Sequence, residues 1–339
     1  MATEATTVID YPYTHVDLSQ EIEVIPTLYG RLNELGLFEE EPITSNMVEI
    51  TFSNGKINIL PAAERGQEGV ENTPDGQNSV IVKVPHFPQK TKIRPEDLQN
   101  QFVFGSRRQQ LRSVEEATAK ALMRLKRNDD ITLEFMRTRA LKGVITDGKG
   151  VTLLNLYTAF GITQKSVDFV LGTDSTKVID KCEEVVGHIQ DNLNGEVMNG
   201  VHALVDQTFF TKFVQHPKVK EFYTGWQQAM TLAQRPVTGF PFYGIVWEPY
   251  RGTAPLADGS AAKFIAANDG SAFPTGTMDT FKTWLAPAHH IDYVNTPGVR
   301  DFVSPKVLDH GQGIELAGQL NAIPTSARPA LMVRCYSSN

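Results

Sequence analysis

The sequence has 339 residues, 41% hydrophobic and 21% charged, values of an ordinary globular chain that exclude a wholly disordered polymer, a collagen or a long coiled coil. With 32 Lys and Arg against 39 Asp and Glu, the net charge is −7; tight sequence-independent binding to nucleic acid, which needs clustered cations, is disfavoured. Two cysteines, Cys182 and Cys335, are no disulfide framework, so two buried thiols in a reducing compartment are the expectation.

The chain opens on residues 1–15, which hold Glu4 and Asp10 but no Lys or Arg and therefore do not read as a secretory leader. No run of about 18 apolar residues follows anywhere, so no membrane-spanning helix is expected. Residues 1–46, punctuated by Pro12, Pro26 and Pro42, read as an extended arm with one short helix near 25–37. Such an arm has little core of its own and must be held by something else or be mobile.

Residues 47–52, 56–60 and 79–84 read as strands, the last from the strict alternation of Val80, Val82 and Val84. The polar, Gly-rich stretch 61–78 between the last two carries Glu64, Arg65, Glu68, Glu71 and Asp75. It is much longer than an ordinary hairpin turn, which marks it as functional or disordered.

Residues 113–146 give the strongest helical signal. Val114, Ala117, Ala121, Leu125, Leu133, Met136, Ala140 and Val144 recur at three- and four-residue steps. Ser113 with Glu116 has the spacing of a capping box, and Asp147-Gly148 closes the run. The span is on the order of 50 Å, suited to a structural spine. A bend is expected at Asn128-Asp129, where the apolar period lapses. Lys120, Arg124, Lys126, Arg127, Arg137, Arg139 and Lys142, interleaved with Glu115, Asp129, Asp130 and Glu134, read as a solvated, charge-mixed face.

Beyond it, 151–156 and 167–171 read as strands, and 178–193, 200–214 and 219–233 as helices. Phe209, Phe210, Phe213, Phe222 and Trp226 supply core material to those helices. Strands follow at 242–247 and 262–267, with turns at Asp258-Gly259, Asp269-Gly270 and Thr275-Gly276. A last strand pair is expected at 314–320 and 330–336. Helices mixed with antiparallel strands, without a repeating βαβ rhythm, define the class as α+β.

Motifs that carry chemistry are missing: no dinucleotide or phosphate-binding glycine loop, no nucleophile elbow, no HExxH and no CxxC. His289, His290 and Asp292 form the one dense group of potential metal ligands. Adjacent histidines on a strand face opposite ways, so a polar turn after Pro287 is the preferred reading. Cys182 and His188 are six apart, on different faces of a helix, and do not suggest a dyad. Arg107, Arg108 and Arg112 before the long helix could touch phosphates or a neighbour's carboxylates, with an exposed helix start as the plainer account. No catalytic residue, cofactor or metal is expected.

The order of certain residues resembles a known family. Ile93-Arg94-Pro95-Glu96-Asp97-Leu98-Gln99, Phe104-Gly105, Ser113-Val114-Glu115, Asp130-Ile131-Thr132-Leu133-Glu134-Phe135-Met136-Arg137 and Ala140-Leu141-Lys142-Gly143 together resemble the major capsid protein family of lambda-type (gpE-like) tailed phages. Asn155, Tyr157 and Phe160-Gly161, then Pro324, Arg328 and Pro329 before the final strand, continue it. The likeness is strongest over 93–161 and weak over 176–300.

The resemblance implies the Hong Kong-type phage capsid fold. Laid on this sequence, it gives an N-terminal arm (1–46), an extended β-hairpin loop (47–90), a peripheral domain with a spine helix (91–175), an axial domain (176–300) and return strands of the peripheral domain (301–339). It implies self-assembly into hexamers and pentamers of an icosahedral shell in the host cytoplasm, maturation from a procapsid, and packaged double-stranded DNA held without sequence-specific contact. Scaffold, portal and decoration proteins are the implied partners. The Lys–Asn cross-link of some members of the fold has no identifiable pair here. The hairpin-tip residues Glu64, Arg65, Glu68, Glu71 and Asp75 are expected to face a neighbour's Arg107, Arg108 and Arg112. The alternatives are a cargo-enclosing nanocompartment subunit and a metal-dependent cytosolic enzyme using His289, His290 and Asp292.

Overall fold

The structure, a computed structural model, describes residues 11–25, 30–52, 78–99, 113–233, 239–256 and 259–339. Its spine is the helix Val114–Leu141, 28 residues long. Ser113 starts it, its hydroxyl accepting from the Glu116 amide; the reciprocal half of the expected capping box is not formed. Gly143 stops it with a left-handed φ of 77°, a conformation that L side chains adopt with strain. Any Cβ there would also lie 2.1 Å from the Tyr157 ring. The expected last turn, through Val144, is instead the strand Val144–Thr146. The helix continues through Asn128 and Asp129 as one uninterrupted segment.

This helix joins two apolar clusters. Its first half, through Ala117, Ala121, Leu122 and Leu125, packs with Leu18, Ile22, Val303 and Leu316. Its second half, through Leu133, Met136, Ala140 and Leu141, packs with Leu320, Ile323, Phe281 and Phe273. Two three-stranded sheets supply Val303, Leu316 and Leu320, and Phe281 and Ile323. In one, Asp301–Val307 pairs antiparallel with Ile314–Leu320, which pairs antiparallel with Phe87–Ile93. In the other, Phe281–Leu285 lies between a parallel Glu39–Pro42 and an antiparallel Ala322–Ser326.

The arm reading changes for residues 11–25. They form a helix, His15–Val24, opened by a capping box between Thr14 and Asp17. Leu18 and Ile22, one turn apart, are fully buried in the first cluster. Ser19 Oγ accepts from Val303 N at 3.1 Å, and Tyr11 meets Thr118 at 3.0 Å. The chain's own body therefore holds this segment. Of the helix expected near 25–37, Arg31–Glu34 is present as one turn.

A third cluster lies under a mixed six-stranded sheet in the order 165–168, 333–336, 269–275, 200–205, 245–249, 240–242. The helices Val178–Asp191, Gln207–Gln215 and Pro217–Leu232 accompany it. Phe169, Phe209, Phe213 and Trp247 stack edge and face at its centre, joined by both thiols, Cys182 and Cys335. Three expectations fail here: the strand expected at 242–247 is broken at Tyr243-Gly244 into the antiparallel strands Phe240–Phe242 and Ile245–Pro249. Residues 200–205 form a buried strand instead of the start of a helix, and Asp269-Gly270 begins the buried strand Asp269–Thr275 instead of a turn.

Met47–Phe52 pairs antiparallel with Asn78–Lys83, Met47 opposite Lys83 and Phe52 opposite Asn78. This makes the stem of a hairpin; the strand expected at 56–60 and the acidic stretch through residue 77 lie outside the described residues.

Candidate assembly surfaces and the charge network behind them

The charged face of the spine helix is divided, contrary to its uniform solvated reading. Lys126, Asp129, Asp130, Glu134 and Arg137 are buried, all under 6% exposed, at and beyond the junction of the two clusters. Buried charges must be paired, and partners distant in sequence reach each of these groups. Lys126 Nζ meets Asp301. Arg300 donates to Asp130 at 2.7 Å and to Glu40 at 3.1 Å. Arg137 also donates to Glu40, at 2.8 Å, and to Asn33 at 3.2 Å. Glu134 accepts from the Leu32 amide and the Tyr250 hydroxyl, each at 2.9 Å. One helix thus binds residues 31–40, the 281–285 strand, the turn at 250 and the start of the 301–307 strand.

Burial governs the acidities in this network. It raises Asp129 well above the ordinary carboxylate range, with the Asp301 charge adding to the effect. It raises Asp130 against the pull of Arg300 and Lys126, and Glu134 against the amide of Leu32 and the hydroxyl of Tyr250. It also lowers Arg137, which the Glu40 carboxylate partly restores. Asp130 Oδ2, Glu134 Oε2 and Asp301 Oδ1 are buried without hydrogen-bond partners.

The other side of the same helix is exposed and basic. Lys120, Met123, Arg124 and Arg127 form one wall of a groove of about 510 Å³, whose opposite wall is Thr91, Lys92, Ile93 and Asp97.

The His289–Asp292 region is a polar turn, as the bland reading had it. His290 precedes a 3₁₀ turn, Ile291–Tyr293. Its Nδ1 lies 3.4 Å from Asp292 Oδ2, which is 3.6 Å from His15 Nε2 on the N-terminal helix. His289 turns away and its ring sits 5.9 Å from that of His86. Among the described residues, no group of three or more His, Cys, Asp or Glu side chains is placed to hold a metal ion. Cys182 is buried, and the His188 ring lies 3.1 Å from the Ala330 carbonyl. The remaining sequence candidates, Glu64, Arg65, Glu68, Glu71, Asp75, Arg107, Arg108 and Arg112, lie outside the described residues. The basic groove and the buried network escaped sequence reasoning; the three-, four- and seven-residue spacings among Lys120, Arg124 and Arg127 were the available signal for the groove.

This architecture is similar to that of solved capsid proteins. The putative capsid protein of a prophage in E. coli CFT073 superposes with a TM-score of 0.63, covering 96% of this chain and 99% of that one at 12% identity. The capsid of cyanophage P-SCSP1u gives 0.51 over 100% and 93%, also at 12% identity. At such identities the likeness establishes the fold, that of a Hong Kong-type phage capsid subunit. The chain belongs to the phage major capsid protein E family, whose sequence profile matches residues 14–336. The major capsid protein of Salmonella phage Felix O1 is 27% identical over 94% of both chains. That of Pseudomonas phage KPP10 is 30% identical over 95% of this chain and 96% of its own. Membership makes this chain a tailed-phage major capsid protein, a structural subunit of a self-assembled shell, in preference to the nanocompartment and enzyme readings. No helix among the described residues is long and apolar enough to cross a membrane.

Proposed function

We propose that copies of this chain close into an icosahedral shell of hexamers and pentamers in the host cytoplasm, mature from a procapsid, and enclose double-stranded DNA without sequence-specific contact. The observation that carries this reading is the family match from residue 14 to residue 336. Heterologous contacts that close by symmetry give such a shell. Contacts between compact bodies alone bury little area, whereas a hairpin laid across a neighbour raises it past the roughly 1,000 Å² of a specific interface. Individually weak contacts then add through effective concentration in the closed lattice. A net charge of −7 suits a wall that must not bind its packed DNA tightly. A scaffold, a portal and a decoration protein are the partners this role calls for.

The proposed division follows the sequence reading: arm 1–46, extended hairpin 47–90, peripheral domain 91–175 with return strands 301–339, and axial domain 176–300. Separate apolar clusters around the spine helix and under the six-stranded sheet support it. Two qualifications come with it. Residues 15–24 are a helix packed on the chain's own body, and strands 165–168 and 333–336 complete the axial sheet.

Glu64, Arg65, Glu68 and Glu71 of one copy meet Arg107, Arg108 and Arg112 of the next. As exposed pairs they are worth about 0–1 kcal/mol each and set register more than strength. Negative-stain microscopy of the overexpressed protein tests the function: shells, tubes or sheets are expected, and discrete small particles would overturn it. Reversing Arg107 and Arg108 to Glu should impair shells while leaving the monomer's unfolding curve unchanged; normal shells would refute that pairing.

A further inference from the structure

Lys126 and Asp301 meet in the interior with almost no access to water. Lys126 is 4% exposed and Asp301 0%, and Lys126 Nζ contacts Asp301 Oδ2. The two lie 175 positions apart, one near the middle of the spine helix and the other at the head of the 301–307 strand. Their chain neighbours Leu122, Leu125 and Val303 belong to the first apolar cluster and are no more than 1% exposed.

Asp129 stands beside this pair. It follows Lys126 by three residues and so shares its side of the helix. It is 5% exposed and feels the charges of both Asp301 and Lys126, and burial favours its protonated form. Arg300 Nε lies 3.8 Å from Asp301 Oδ2. Arg300 Nε and Asp301 Oδ1 are both buried without a hydrogen-bond partner. An ion pair alone calls for one cation and one carboxylate. Here a buried primary amine, a carboxyl carbon, a neutral acid and a guanidinium converge, the set of groups that makes an amide.

We propose that Lys126 Nζ and Asp301 Cγ join in an intrachain isopeptide bond, with Asp129 carrying the protons and Arg300 facing the developing oxyanion. Lys126 first gives a proton to Asp301 across their contact, leaving an amine and a carboxylic acid; burial, which penalises both charges, favours this transfer. The amine lone pair attacks Cγ and the N–C bond forms. Asp129 donates its proton to the hydroxyl oxygen, which leaves as water when the C–O bond breaks, and then takes a proton back from the nitrogen. One ammonium and one carboxylate thus become one amide and one water, with no oxidant or cofactor. The folded chain supplies the proximity that the reaction needs. While the bond is open, Lys126 and Asp301 are the ion pair described above, and Asp129 titrates beside a charged Asp301. The closed bond ties the spine helix to the 301–307 strand within one chain, unlike a Lys–Asn link between copies.

The test is the mass of the full wild-type chain, incubated folded and then denatured. Its intact mass should be lower by one water. A tryptic digest should give a branched peptide, uncut after Lys126, in which the Lys126 segment is attached to the segment holding Asp301. Lys126→Arg should keep the full mass. A wild-type chain of full mass, with separate linear peptides for the two segments, is an ion pair only and would overturn the proposal. Loss of water with linear peptides, or loss of water from Lys126→Arg, would mean a succinimide at an aspartate and would overturn it as well. Asp129→Ala should slow closure by about a hundredfold; closure at the wild-type rate would overturn the role given to Asp129. The wild-type peptides decide whether the bond exists even where a variant fails to fold.

Discussion

Arg300 Nη2 lies 2.7 Å from Asp130 Oδ1, although 170 positions separate the two residues. The Asp130 side chain is 1% exposed and that of Arg300 16%. This pair, with the Arg300–Glu40 contact, fastens the start of the 301–307 strand to the middle of the spine helix. Removing one partner from a buried pair strands the other charge, a loss of about 3–5 kcal/mol. Arg300→Ala should therefore shift urea unfolding by an amount in that range, and Arg300→Lys should recover only part of it, because an ammonium cannot span two carboxylates as a guanidinium does. A loss below about 1 kcal/mol would mean that solvent already screens the pair.

Asp129 gives a pH prediction. Burial, then the Asp301 charge, raises its pKa well above the ordinary carboxylate value. Between the unfolded and folded values the native state holds a proton that the unfolded state has lost, so stability falls as pH rises through that window. Asp129→Asn removes this dependence. It should be more stable than wild type at pH 8 and converge with it only below about pH 3, where both states of the wild type are protonated at this site. Parallel stability curves from pH 4 to pH 8 would exclude Asp129 as the source.

The N-terminal helix should detach without global unfolding. Leu18 is fully buried between the spine helix and the 301–307 strand. Truncating a buried Leu to Ala removes about 2–5 kcal/mol, more than a ten-residue helix anchored by two apolar side chains retains. Leu18→Ala should make residues 15–24 sensitive to brief proteolysis while the remaining core resists. Protection equal to wild type would show that Ser19, Tyr11 and Ile22 suffice.

Gly143→Ala should be among the most damaging single-methyl additions in the chain. It combines a left-handed backbone with a methyl group 2.1 Å from the Tyr157 ring. Overpacking and backbone strain together predict a loss of about 3 kcal/mol, read as a lowered midpoint in thermal unfolding. Gly148→Ala, where nothing stands within 4 Å, is the matched control and should change little.

What the sequence shows and what it hides follow from where the stabilising contacts lie. The spine helix was legible because its cap at Ser113 and its apolar period are local. The class and the likeness to the capsid family were legible because ordered short motifs survive along the chain. Residues 200–205 were read as helix because a short apolar run such as Val201-His202-Ala203-Leu204-Val205 has no distinguishing period; its partners, 269–275 and 245–249, decide it. Asp269-Gly270 looked like a turn, yet Asp269 is taken into the sheet by Lys142 and Arg334, each at 2.9 Å. The helix at 15–24 was missed because Leu18 and Ile22 are too few to set a pattern. Lys126, Asp130 and Arg137 looked solvated because their partners, Asp301, Arg300 and Glu40, are far away in the chain.

The strand 333–336 occupies an interior position in its sheet, between 165–168 and 269–275. A ribosome must therefore release residue 336 before this sheet can close, and a nascent chain displays an open edge until then. Long-range pairing of this kind slows folding and leaves sticky strands on view meanwhile. Polymerisation by half-made subunits is thereby delayed until synthesis has passed that strand, and molecular chaperones have a defined interval in which to act.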